Sequence, residues 1–156
     1  MKTKYLLFMI LAPLTLAFPG LAYADQAFHT SRLNFTLTTD GSAAGNPRLI
    51  AGQVVDIHAN GPQIGAIDRY MINGAKPSTA YQVTLRIFSK DCAGSFLFPI
   101  PTALLTTNSN GFAQGGHVFT PADLAPFKGT TAGVVWTLVS DGVVAYEISC
   151  IFVTID

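Results

Sequence analysis

Along most of its length after residue 32 the chain alternates apolar and polar residues with a period of two, a pattern that serves an extended strand with one buried face. The clearest run is Tyr81, Val83, Leu85 and Ile87 set against Gln82, Thr84 and Arg86. Leu33, Phe35 and Leu37 alternate in the same way with Asn34, Thr36 and Thr38, and that strand is expected to end at Asp40-Gly41-Ser42. Ile50 to His58 and Ile64 to Ile72 read as two further strands, closed by Asn60-Gly61-Pro62 and by Asn73-Gly74. Thr102 to Thr107 and Phe112 to Thr120 flank Asn108-Ser109-Asn110-Gly111, a turn that tolerates positive φ, and are expected to pair as a hairpin. Pro121 to Leu124 fits one helical turn capped by Thr120. Gly133 to Ser140 and Val143 to Ile155 form the last hairpin around Asp141-Gly142, with Tyr146, Ile148, Cys150 and Phe152 on one face. Val134, Val135 and Trp136 are apolar on both faces, which places that strand centrally. Seven or eight short strands with turn residues between them predict an all-β, antiparallel β-sandwich, with a closed barrel as the alternative.

The first 24 residues obey a different rule. Lys2 and Lys4 precede an apolar run from Tyr5 to Leu16, and Ala22-Tyr23-Ala24 offers small residues at both positions a signal peptidase reads. The expectation is a signal peptide over residues 1–24, cleaved before Asp25, and a single sandwich domain over 25–156. The apolar run is shorter than a bilayer span requires, and Pro13 and Pro19 interrupt the segment. Losing Lys2 and Lys4 with the leader leaves nine acidic against seven basic residues. That balance argues against nucleic-acid binding and against a polybasic membrane surface. A secreted or periplasmic protein is expected, with no membrane attachment after cleavage.

Cys92 and Cys150 are the only cysteines, and in an oxidising compartment they are expected to form one disulfide, with Cys150 on the inward face of its strand. Asn34-Phe35-Thr36 also spells a glycosylation sequon, read here as an ordinary polar strand face.

At Pro77-Ser78-Thr79-Ala80-Tyr81 a proline, a hydroxyl residue and a tyrosine lead into an alternating strand. This resembles the tyrosine corner of fibronectin type III and other immunoglobulin-like domains, in which the phenol bonds back to the backbone at a turn between sheets. The turn from Thr107 to Ala113, with Asn108 and Gly111, is similar to hairpins in secreted bacterial immunoglobulin-like modules. The resemblance implies a Greek-key immunoglobulin-like sandwich, a structural role for Tyr81, and a binding or structural function.

The chain has no Gly-x-Ser-x-Gly elbow, no His-Glu-x-x-His, and no lysine in the Gly111 to Gly116 run that a phosphate loop would need. Glu147 is the only glutamate, so a glutamate pair for glycoside cleavage is excluded, and Asp40, Asp68, Asp91, Asp123 and Asp141 read mostly as turn residues. His29, His58 and His117 are far apart in sequence, the first in the start of the exported chain and the last on a surface arm. Asp56 and His58, two apart on one strand, are the best acid–base or metal candidates, expected on the solvent face opposite inward Val55 and Ile57. Tyr70, Phe88, Phe96, Phe98, Phe112, Phe119 and Phe127 exceed the evident needs of one small core, which leaves room for an exposed aromatic patch.

The first functional reading is a secreted, non-catalytic binding or adhesion-type sandwich with a protein or carbohydrate ligand and no cofactor. The second is an envelope or fibre subunit that works by strand pairing, favoured by the few charges available to guard sheet edges. The third is a small metal-dependent enzyme centred on Asp56 and His58.

Overall fold

The computed structural model describes residues 29–58, 65–89, 91–93 and 96–154, so the expected signal peptide lies outside the described residues. In chain order the elements are β1 (His29–Asn34), β2 (Thr36–Leu37), helical turn α1 (Thr39–Ala43), β3 (Ala51–His58), β4 (Ala66–Asn73), β5 (Ala80–Phe88), β6 (Phe96–Thr106), β7 (Ala113–Phe119), helical turn α2 (Pro121–Leu124), β8 (Thr131–Ser140), β9 (Val143–Glu147) and β10 (Ile151–Thr154). They build two antiparallel sheets in a sandwich-like arrangement. One runs β1-β3-β4-β7; the other runs β2-β9-β8-β5-β6, with β10 continuing beside β8. The core lies between them, and β8 is buried on both faces from Gly133 to Leu138, as its double apolar pattern predicts.

The first alternating run is one stretch of chain but two strands. At buried Phe35 it leaves β3 and crosses to β9, while Leu33 and Leu37 still pack on the core, so the inward face was read correctly. Beyond it, Thr38 accepts the backbone N–H of Gly41 at 2.8 Å and starts α1. A Cβ on Gly41 would sit 2.2 Å from the Ala145 carbonyl oxygen, so only glycine lets this turn lie on β9. The turn before Pro121 follows its sequence signature: Thr120 and Asp123 cap α2 reciprocally.

Three expectations are corrected. Asn108 to Gly111 does form a turn, with Asn108 Oδ1 accepting the N–H groups of Asn110 and Phe112 and Gly111 at φ +73°. It does not join a hairpin. β6 pairs with β5 and β7 with β4, so the turn bridges the two sheets, and Thr107 is tied to the Lys76 carbonyl at 2.7 Å. Turn chemistry reverses the chain without choosing its next neighbour.

The second correction concerns the last hairpin. Tyr146 and Ile148 are buried, but regular pairing lapses between β9 and β10, and past the break Ile151 and Val153 pack on the core while Cys150 and Phe152 face solvent. A one-residue change of phase moves every later side chain to the other face. The Cys92–Cys150 disulfide forms as expected, with α-carbons 5.8 Å apart, but Cys150 is exposed while half-buried Cys92 packs on the core.

The third correction reaches the candidate site. On β3 the inward residues are Val54 and Asp56, and it is Val55 and Ile57 that lie half-buried on the other face. Gln53 and Val55 look equally acceptable outward, so the apolar count alone chose the wrong phase.

Candidate functional site

Parity forces an acid into the core. On β4 the buried positions are Ala66, Asp68, Tyr70 and Ile72, and the register sets Asp68 directly beside Asp56 on β3 and beside His117 on β7. Three titratable residues thus lie in one row across adjacent strands. Asp68 is wholly buried and Asp56 is 2% exposed.

Asp68 Oδ2 accepts two hydrogen bonds, from the Tyr70 hydroxyl at 2.5 Å and from Trp136 Nε1 across the sandwich at 2.7 Å. Tyr70 also meets Thr102 Oγ1 at 2.9 Å. No donor among the described residues reaches Asp68 Oδ1. Burial, joined by the charge and hydrogen bond of Asp56 and opposed by the Tyr70 and Trp136 bonds, pushes the Asp68 carboxyl up to about 7. A proton on Asp68 Oδ1 makes that oxygen a donor on the side where no other donor reaches it. Burial, followed by the neighbouring Asp68 charge, raises the Tyr70 phenol, which therefore stays a donor.

Asp56 in turn holds His58, with Oδ2 to Nε2 at 2.7 Å, and the His58 side chain is 23% exposed. Tyr70 is thus hydrogen-bonded to Asp68 and Asp56 to His58, and with the two acids side by side in register the four residues run from the middle of the core to its rim. Asp56 and His58 line a small cavity of about 50 Å³ between the sheets, with apolar walls that include Leu85, Ile87, Phe119, Leu124, Phe127 and Val134. That volume admits a few water molecules or the tip of a ligand. A wider cleft of about 660 Å³ opens where the chain crosses at Phe35, and Arg48 is its one charged lining residue.

The other expected site residues fall as follows. Tyr81 is fully buried, its hydroxyl donates to Asn46 Oδ1 at 2.7 Å, and its ring lies 5.8 Å from that of Tyr146. His117 is half-buried, with its ring edge-on to Phe119 at 4.5 Å, and is no surface arm. Asp91, Asp123 and Asp141 occupy turns, whereas Asp68 does not. Tyr70, Phe88 and Phe119 are core residues, Phe112 and Phe127 are half-buried, and Phe98 is 37% exposed with its ring 5.3 Å from Phe127. The aromatic excess is thus mostly packing, with Phe119 and Phe127 in the cavity wall. Among the described residues no three His, Cys, Asp or Glu side chains converge as a metal site.

From the sequence Asp68 reads as a turn residue and Trp136 only as part of a central strand, and Asn46 is not singled out. For Asp68 the signal was present, since it shares the parity of Ala66, Tyr70 and Ile72; for Asn46, in a loop, there was none. None of the family models, curated proteins or solved structures compared with the chain matches it.

Proposed function

We propose that this is an exported, non-catalytic β-sandwich module that binds a small, largely apolar molecule bearing one hydrogen-bonding group. The observation that carries the reading is the Asp56–His58 pair set into the wall of an otherwise apolar cavity. An apolar concavity with a few convergent polar groups is the usual form of a ligand site. The walls favour an apolar body, and the pair fixes the orientation of its head. Catalysis is not the favoured reading because Asp68 lies wholly buried behind Tyr70 and Trp136, where a substrate does not reach it.

Two further features fit this module. A disulfide is a bond that persists in oxidising compartments, which favours the secreted or periplasmic location, and no described helix is long and apolar enough to cross a membrane. The order β2-β9-β8-β5-β6, in which β5 lies beside β8 although β7 intervenes in the other sheet, favours a Greek-key, immunoglobulin-like topology.

Trp136 is the only tryptophan and lines the cavity, so its emission reports occupancy directly. Titration with n-butanol and benzyl alcohol is expected to shift that emission saturably. Val134→Phe, which fills the cavity, is expected to abolish the shift. An unsaturable response, or an identical one in Val134→Phe, overturns the proposal.

A further inference from the structure

The four-stranded sheet divides its charges by sign. Alternation turns both of its acids, Asp56 and Asp68, into the core and leaves Arg32 and Arg69 on the outer face. Pairing register sets Arg32, Val55, Arg69 and Gly116 in one row across β1, β3, β4 and β7. Two strand spacings put the arginine α-carbons about 10 Å apart, with Val55 between them. Gly116 ends the row without a side chain. A Cβ there would lie 3.4 Å from Arg69 Cδ and Nη1, so the glycine leaves room for the guanidinium to lie against β7.

The next row, Asn34, Gln53, Met71 and Gln114, carries three carboxamides. A cleft of about 530 Å³ spans both rows, with Gln53, Val55, Arg69 and Gln114 in its lining. It shares Gln53 and Met71 with the cleft of about 660 Å³ at the Phe35 crossing, so the two form one groove with Arg69 in one part and Arg48 in the other. Arg32, Arg48 and Arg69 are exposed, and among the described residues none has a carboxylate within ion-pair reach.

Guanidinium groups recognise carboxylates, and carboxamides both donate to and accept from hydroxyls. Each arginine stands singly, which suits separate carboxylates better than dense sulfate or phosphate. A sheet face has spent its backbone groups on its own ladders, so an extended peptide finds its partners at an edge rather than here. Neither row holds an aromatic side chain to stack a base, and three arginines fall short of the roughly four to eight basic residues that hold a segment to an anionic membrane. We infer that this groove binds an acidic polysaccharide of the polyuronate class, its carboxylates on the arginines and its hydroxyls on the carboxamides among them. The site lies outside the core, and the inference is independent of the cavity between the sheets.

Calorimetric titration of the exported chain with oligogalacturonate, alginate and hyaluronan fragments, each beside its neutral carboxyl-reduced form, tests it. At least one fragment is expected to bind saturably, and its reduced form to bind about tenfold more weakly. Arg69→Gln and Arg48→Gln are each expected to weaken binding about threefold and the double variant about tenfold, with unchanged Trp136 emission as the sign of an intact core. Binding of none of the fragments, a reduced form bound as tightly as its acid, or a double variant with an intact core that binds like wild type each overturns the proposal. So does tighter binding of polyglutamate or of anionic phospholipid vesicles than of any fragment.

Discussion

The core holds two buried polar clusters, and they differ in kind. At the start of β5, Tyr81 donates to Asn46 Oδ1, Asn46 Nδ2 donates to the Gly41 carbonyl at 3.1 Å, and the Tyr146 hydroxyl donates to the Pro47 carbonyl at 2.7 Å. Every group there is neutral, and burial holds both phenols above the usual tyrosine range. Farther along β5, Trp136 lies beside Leu85, and there Asp68 and Asp56 put two carboxyls side by side with one oxygen lacking a donor. A matched neutral network fixes chain geometry at little cost, whereas a buried acid pair costs stability whenever both members ionise. The first cluster pins the α1 loop to the sandwich. The second is the place where protonation changes the core, and it adjoins the cavity.

Removing one hydroxyl from each cluster separates the two roles most strongly. Tyr70→Phe takes a donor from Asp68 and is expected to cost about 2 to 3 kcal/mol in denaturant unfolding at pH 8, where the acid is charged, and only about 1 kcal/mol at pH 5. A cost independent of pH would make the two clusters alike. Asp68→Asn keeps the acceptor for Tyr70 and Trp136 and turns an amide N–H₂ toward Asp56, imitating the protonated acid. Between the ordinary aspartate range and about 7 the folded state holds a proton that the unfolded chain has lost, so folding takes one up. The contribution is complete below the ordinary range and is lost as pH rises to about 7. Wild-type stability is therefore expected to fall by about 1 kcal/mol per pH unit from pH 5 to 7 relative to Asp68→Asn. Parallel pH profiles would contradict this.

Tyr81→Phe is expected to cost about 1 kcal/mol, equally at pH 5 and pH 8, because its partner Asn46 does not titrate. A pH-dependent loss would move Tyr81 into the other class. The smallest effect belongs to His58→Ala. Its ring is partly exposed at the rim, so a change below about 1 kcal/mol is expected, together with weaker binding of benzyl alcohol read from Trp136 emission. Unchanged binding would remove His58 from the site.

Much of this arrangement was legible before any coordinates. Alternation located β5, β8 and most other strands, Thr120 and Pro121 announced α2, and the two cysteines announced their bridge. What stayed hidden depends on register and on sheet membership, which are set by distant partners. Nothing local says that β6 and β7 part company after Gly111, or that Asp56, Asp68 and His117 form one row. Asp56 shows the limit most plainly. An acid flanked by Val55 and Ile57 looks like the polar face of its strand, and only the pairing with inward Asp68 and the packing of Val54 reverse it.

Carbon-13 NMR titration of the Asp68 side-chain carboxyl tests the buried, raised acid most directly. The account predicts a transition near pH 7, well above the ordinary aspartate value; because burial is its leading cause, Asp56→Asn lowers the transition only in part and leaves it above that value. A carboxyl that titrates in the ordinary range in the folded wild-type protein would contradict it.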